Sequence, residues 1–222
     1  MLTIKTNVLQ STTMLNVAVG KRRATQGFKP DPIPDNVLKE LLELSFLAPS
    51  GYNLQPWRFL VIRDQANKKR LREAAMGQPK VEEAPVVVIA SADPTAWRSD
   101  LDAMLEMGKR LGSIRSDEIA SAIRAGATSY LESVDNKVWA TKQTMIAFTH
   151  LMLLAETYGL DTAPMEGFWE DKVKEAFGIP EHMLVLALLA IGYAGKPDRP
   201  FGGRFDLETV VSSETFGRPL RL

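Results

Sequence analysis

Two periodicities alternate along the chain after a polar, aperiodic stretch at residues 1–15, which reads as a loosely held lead-in. Val37, Leu38, Leu41, Leu42 and Ser45 fall on one helical face, and Asp35 behind Pro34 offers a carboxylate to cap that helix. The turn residues at 48–51, Ala-Pro-Ser-Gly, stop it. A strand is predicted over 57–62, a helix over 65–76, and a buried strand over 85–91, where Pro-Val-Val-Val-Ile-Ala-Ser leaves no polar alternation.

From 95 to 159 the pattern is helical almost throughout, with breaks at Gly112-Ser113 and at Ser133-Val134-Asp135. Its longest uninterrupted piece, 136–158, repeats Trp139, Gln143, Ile146, Ala147, His150, Leu151 and Leu154 at helical spacing, and Gly159 supplies the stop. So long a helix suits the spine of a domain or a surface shared with a second subunit. A short helix over 171–177 ends at Gly178, and the apolar run 183–193 fits a central strand. The closing segment, 195–222, is rich in proline, glycine and arginine and carries no core pattern of its own, so a ligand or another subunit must hold it. The expectation is one domain over 16–222, with no internal repeat.

Composition narrows the chemistry. Lysine plus arginine and aspartate plus glutamate both number 27 in 222 residues, so no overall field draws nucleic acid or an anionic membrane, and any anion site must be local. The chain has no cysteine, which removes disulfides, thiolate catalysis and cysteine-ligated metals. With only His150 and His182 no metal site is expected, and both histidines read as structural. No secretory leader or bilayer-length apolar run is evident, so cytoplasm is the expected compartment.

Two segments could carry chemistry. Lys21-Arg22-Arg23-Ala24-Thr25-Gln26-Gly27-Phe28 is a compact cationic cluster; an arginine fork can hold a phosphate through two parallel charge-assisted bonds, although such a run is also compatible with a solvated face. Pro49-Ser50-Gly51-Tyr52-Asn53-Leu54-Gln55-Pro56-Trp57 is a helix-to-strand loop whose amide side chains offer both donors and acceptors, as the edge of a heteroaromatic ring requires; an ordinary structured loop is the alternative.

Taken together and in this order, the two segments resemble the amino-terminal signature of the nitroreductase family of FMN enzymes. Pro164-Met165-Glu166-Gly167-Phe168 is similar to that family's loop beside the flavin, and Gly203-Arg204 ahead of Leu207-Glu208-Thr209-Val210-Val211 to its carboxy-terminal phosphate-binding arginine. The resemblance spans roughly residues 17 to 211. It implies an α+β fold with a central, mostly antiparallel sheet of four or five strands flanked by helices, and a carboxy-terminal tail exchanged between the subunits of a homodimer.

The same resemblance assigns roles. Arg22 and Arg204 would hold the FMN phosphate, and Arg23 and Ala24 would lie along the ribityl phosphate end. Pro49, Ser50, Gly51 and Asn53 would reach the flavin of the other subunit, with Gln55 a further contact, while Trp57 fills the core beneath. Met165, Glu166 and Gly167 would stand beside the ring, the Gly167 backbone N–H aimed at N5, where a donor stabilises the negative charge that arrives with a hydride. Gln26 departs from the lysine or arginine many members carry near N1 and the C2 oxygen, and Gly202 from a lysine some carry near the phosphate. The implied activity is ping-pong transfer of electrons from NADH or NADPH, through FMN, to a small electron-poor acceptor such as a nitroaromatic, quinone or enone. A reductive dehalogenase, a flavin-consuming relative and a non-catalytic flavin-binding protein are the alternatives.

Overall fold

In a computed structural model, residues 14–220 are described. Four strands, β1 (Trp57–Ile62), β2 (Val86–Ala92), β3 (Asp161–Met165) and β4 (Leu184–Gly192), form one sheet in the order β1-β2-β4-β3, every neighbour antiparallel. The helices are α1 (Leu15–Lys21), α2 (Asp35–Ser45), α3 (Gln65–Ala74), α4 (Pro79–Glu83), α5 (Trp97–Leu111), α6 (Asp117–Ser133), α7 (Asn136–Thr157), α8 (Glu170–Phe177) and α9 (Leu207–Val210). The α+β reading and the antiparallel sheet hold.

The two middle strands are apolar on both faces because both faces are covered. Val87, Ile89, Leu188 and Ala190 meet Leu71 of α3, Val81 of α4 and Val173 of α8. Val86, Val88, Leu189 and Ile191 meet Leu38 and Leu41 of α2 and Phe148 and Leu151 of α7. A third cluster packs Leu101 and Leu105 of α5 and Ala127 and Leu131 of α6 against Trp139 and Ala140, at the start of α7. The long helix is thus the spine, touching α1, α2 and all four strands. Among the described residues no helix is long and apolar enough to cross a membrane.

Several expectations shift. Residues 1–13 of the predicted lead-in lie outside the described residues, and α1 begins at Leu15. That helix buries only Ala18, so it leaves no apolar stripe to read. Asp35 caps nothing: Pro34 is the N-cap, and the Asp35 carboxylate accepts a bond from Arg63 at 2.6 Å. The buried set on α7 is Trp139, Ala140, Thr144, Ala147, Phe148, Leu151 and Ala155, wider than the single face predicted, because partners surround it on several sides. Strand β3 was not foreseen; five residues including a proline make a weak signal, and Pro164 is tolerated there because β3 is an edge strand.

Candidate functional site

The cationic segment is strapped over the ends of two strands. Thr25 N–H donates to the Thr162 carbonyl of β3 at 3.0 Å, Lys29 N–H to Tyr193 at 2.9 Å, and Gly195 N–H to Gly27 at 2.8 Å. Gly27 is closely packed here: a Cβ would come within 3.0 Å of the Lys196 side chain and 3.1 Å of the Glu83 carboxylate. The chain bends at Gln26, and Arg22, Arg23 and exposed Ala24 are left at the head of β3.

None of the arginines is neutralised by contact. Arg23 caps the end of α1 through the carbonyls of Gly20, Lys21 and Arg22, at 3.0, 3.2 and 2.8 Å. Its guanidinium carbon lies 4.5 Å from the centre of the Phe201 ring, and that of Arg204 lies 5.2 Å from the same centre, so the tail arginine and the amino-terminal one share one ring. Among the described residues, Arg22, Arg23 and Arg204 form no ion pair, and buried Nη1 of Arg22 has no hydrogen-bond partner. An unpaired buried guanidinium nitrogen costs free energy unless an acceptor arrives.

Beneath them stands Glu156 of α7, accepting a bond from the Thr162 hydroxyl at 3.2 Å. Burial pushes its carboxyl up to about 7; the Thr162 bond and Arg22 oppose the shift, and Asp161 and Asp198 add to it. Burial likewise raises Asp161, which accepts a bond from Ala194 N–H. This acidic floor lowers the local positive potential only when it ionises.

At the far end of β3, about 13 Å from Thr162 at the strand rise, the chain turns through Glu166 and Gly167. Phe168 N–H donates to the Glu166 carbonyl at 3.1 Å, and Gln78 Nε2 donates to the Gly167 carbonyl at 2.7 Å. A Cβ on Gly167 would lie 3.2 Å from Gln78 Nε2, so the turn is pressed onto the Met76–Gln78 corner. The Gly167 N–H has no acceptor among the described residues. Met165 is buried and Glu166 exposed.

The loop from Pro49 to Gln55 is placed elsewhere. Gly51 N–H donates to Gln143 Oε1 of α7 at 2.9 Å, and a Cβ at Gly51 would meet the Trp139 indole nitrogen at 3.2 Å. Ser50 Oγ accepts from Gln55 N–H at 3.0 Å, and Gln55 Nε2 donates to the Asn53 carbonyl at 3.1 Å. Tyr52, Asn53 and Gln55 all take positive φ, at 54°, 56° and 46°. Three non-glycine residues in the left-handed region are costly, and such strain persists where the surroundings fix it and a function uses it. Trp57 fills the core below, stacked on Phe46.

Two groups result. Arg22, Arg23, Ala24, Gln26, Met165, Glu166, Gly167 and Arg204 line β3 and its two ends, with Gln26 tied back by its Nε2 to the Ala24 carbonyl at 2.7 Å. Pro49, Ser50, Gly51, Asn53 and Gln55 gather near Trp139 and Gln143. On the spine Gln143 stands almost four turns before Glu156, about 20 Å at the helical rise, and Trp139 one turn further still. Sequence reasoning missed Glu156, Thr162, Phe201, Met76 and Gln78, which contact the predicted residues only in three dimensions; the aromatic three places before Arg204 was the one readable sign. His182 lies 3.6 Å from Asp93, whose N–H donates to the Pro56 carbonyl at the strand end of the loop at 2.9 Å. The β3 group can bind an anion at one end and offer a backbone donor at the other. It contains no nucleophile.

Comparison with known proteins agrees with that chemistry. Residues 19–193 match the family described as Nitroreductase family. A protein of Thermus thermophilus named NADH dehydrogenase is 42% identical over 191 residues, which cover 86% of this chain and 91% of that one. MhqN of Bacillus subtilis, named as an NAD(P)H nitroreductase, is 30% identical over 78% of this chain and 85% of its own. Among solved structures, a protein of Exiguobacterium sibiricum described as a nitroreductase in complex with FMN superposes with a TM-score of 0.84 at 27% identity, covering 92% of this chain and 99% of that one.

Proposed function

The chain belongs to the nitroreductase family, and we propose that it is an FMN-dependent oxidoreductase that passes electrons from NADH or NADPH to a small electron-poor acceptor, a nitroaromatic, quinone or enone. The observation that carries the reading is the β3 group: three arginines without a carboxylate partner gather at one end of the strand, and an uncommitted backbone N–H stands at the other. These residues fit FMN. Arg22, Arg23 and Arg204 would hold its phosphate, with buried Nη1 of Arg22 gaining the acceptor it lacks. FMN, when bound, supplies the hydride chemistry, the nicotinamide leaving before the acceptor enters.

The protein's part is electrostatic and positional. The Gly167 N–H offers a donor where negative charge develops, and the Glu166 carbonyl of the same peptide unit, held by Phe168 N–H at 3.1 Å, keeps that N–H from turning away. The turn is a backbone device, which explains why neither histidine is needed there. The Pro49–Gln55 loop is too far along α7 to close on its own chain's arginines, so it serves the site of a second copy in a homodimer. The tail supports the same assembly: Phe205, Val210 and Phe216 are 80%, 64% and 100% exposed in the single chain, more apolar surface than a short segment leaves uncovered. Cytoplasm is the compartment that fits this chemistry.

Titration of the cofactor-free protein with FMN and with riboflavin, which lacks the phosphate, tests the site. Arg22→Ala and Arg204→Ala should each weaken FMN by about 1.5–3 kcal/mol, roughly 10- to 150-fold, and leave riboflavin binding unchanged. Unchanged FMN affinity in both variants would place the phosphate elsewhere.

A further inference from the structure

Phe201 is 56% exposed, yet among the described residues its ring is the one aromatic face that both Arg23 and Arg204 lie over. The route by which Arg204 reaches it is specific. Gly203 takes φ +81°, a left-handed backbone that glycine adopts without strain, and Arg204 Nη1 donates to the Gly203 carbonyl at 2.6 Å, which holds the guanidinium beside the ring. Two like charges gathered without a carboxylate repel each other. An aromatic face attracts each of them, through its quadrupole, at no cost in net charge.

We propose that Phe201 is a positioning residue that gathers the tail's Arg204 and the body's Arg23 onto one ring and presents both guanidiniums to a single phosphate group. The proposal rests on the FMN reading above. A carboxylate in the place of Phe201 would hold the arginines equally well but would neutralise them and compete with the phosphate. A neutral ring orients them and leaves the charge available. It also ties the tail, which has little other anchorage, to the rest of the site, so that phosphate binding and tail docking strengthen each other.

Phe201→Leu keeps the apolar volume and removes the quadrupole. Against the intact protein it should raise the Kd for FMN about 3- to 10-fold, since one or two solvent-exposed cation–ring contacts are lost, while the Kd for riboflavin changes less than about 2-fold. Phe201→Trp, with the stronger ring face, should keep the original FMN affinity. In the Arg204→Ala background Phe201→Leu should add less than it does alone, because one of its two partners is already gone. If Arg204→Ala weakens FMN but Phe201→Leu does not, or if Leu and Trp weaken it alike, or if riboflavin suffers equally, Phe201 has no positioning role and the FMN reading stands. If Arg204→Ala itself leaves FMN affinity unchanged, the phosphate assignment fails and this inference falls with it.

Discussion

The spine helix and the tail contrast sharply. Helix α7 makes contacts with α1, α2 and every strand, and its Trp139, Ala147 and Leu151 are 2%, 0% and 0% exposed. The segment after Gly195 holds itself by a four-residue helix, one isolated bridge between Ser212 and Pro219, and a few turns. Yet each supplies one side of the proposed anion site, α7 through Glu156 beneath Arg22 and the tail through Arg204. The first is fixed by folding. The second depends on what binds it, which makes a complete site conditional on cofactor and partner.

Substitutions should separate the two regions by the property they disturb. Leu151→Ala, which empties fully buried volume between α7 and the sheet, should lower the free energy of unfolding by about 2–5 kcal/mol in urea denaturation. Phe216→Ala should leave the unfolding of the single chain within about 0.5 kcal/mol. Its effect should fall on assembly instead, weakening the dimer at least about tenfold in a sedimentation dilution series, since a buried phenylalanine contributes about 1.5–3 kcal/mol. A dimer unaffected by Phe216→Ala would mean that the partner does not cover this part of the tail.

A smaller effect probes the fixed side. Burial raises Glu156 from an ordinary 4.5 to about 7, so the folded chain prefers the protonated carboxyl. The stability this gives is fully present below about pH 4.5 and is lost as pH rises through about 7. Because the carboxyl is only partly buried, the loss should be roughly 1–2 kcal/mol after solvent screening. Glu156→Gln, a permanent mimic of the protonated form, should nearly match the unaltered cofactor-free protein at pH 5 and exceed it by that amount at pH 8 in urea denaturation. Equal stability at both pH values would show that Glu156 is solvated and no floor to the arginines.

The contrast also explains what could be read in advance. The middle strands, α5, α6 and α7 were legible because each buries a long apolar pattern, and the breaks at Gly112 and Ser133 fell where αL geometry and a cap end the helices. Strand β3 and helix α1 were not, because a five-residue edge strand with proline and a helix burying one alanine leave almost no periodic trace. At the proposed site, Arg22, Arg204 and Gly167 were picked out by the resemblance to the family's motifs. Glu156, Gln78 and Phe201 were not, since they act through contacts between segments far apart in sequence, or beside a left-handed Gly203 that only the backbone angle reveals.

The smallest expected effect concerns Gln26, where both regions leave a charge unfilled. Its Nε2 donates to the Ala24 carbonyl at 2.7 Å, so half of the amide's donor capacity is spent on holding the strap in shape. What remains to meet the pyrimidine side of the cofactor is a neutral dipole, where a lysine would bring a full positive charge. A reduced, anionic cofactor gains from that charge and the oxidised one does not, so Gln26→Lys should favour reduction. Allowing about 1–2 kcal/mol for a partly solvated charge, and about 30 mV per 1.4 kcal/mol for a two-electron couple, the midpoint potential should rise by roughly 20–40 mV in a spectroelectrochemical titration. Reduction by NADH should quicken and transfer to weak acceptors should slow, both following from the same shift. A potential unchanged or lowered would place residue 26 away from the ring, and would mean that the strap contributes to the phosphate end alone.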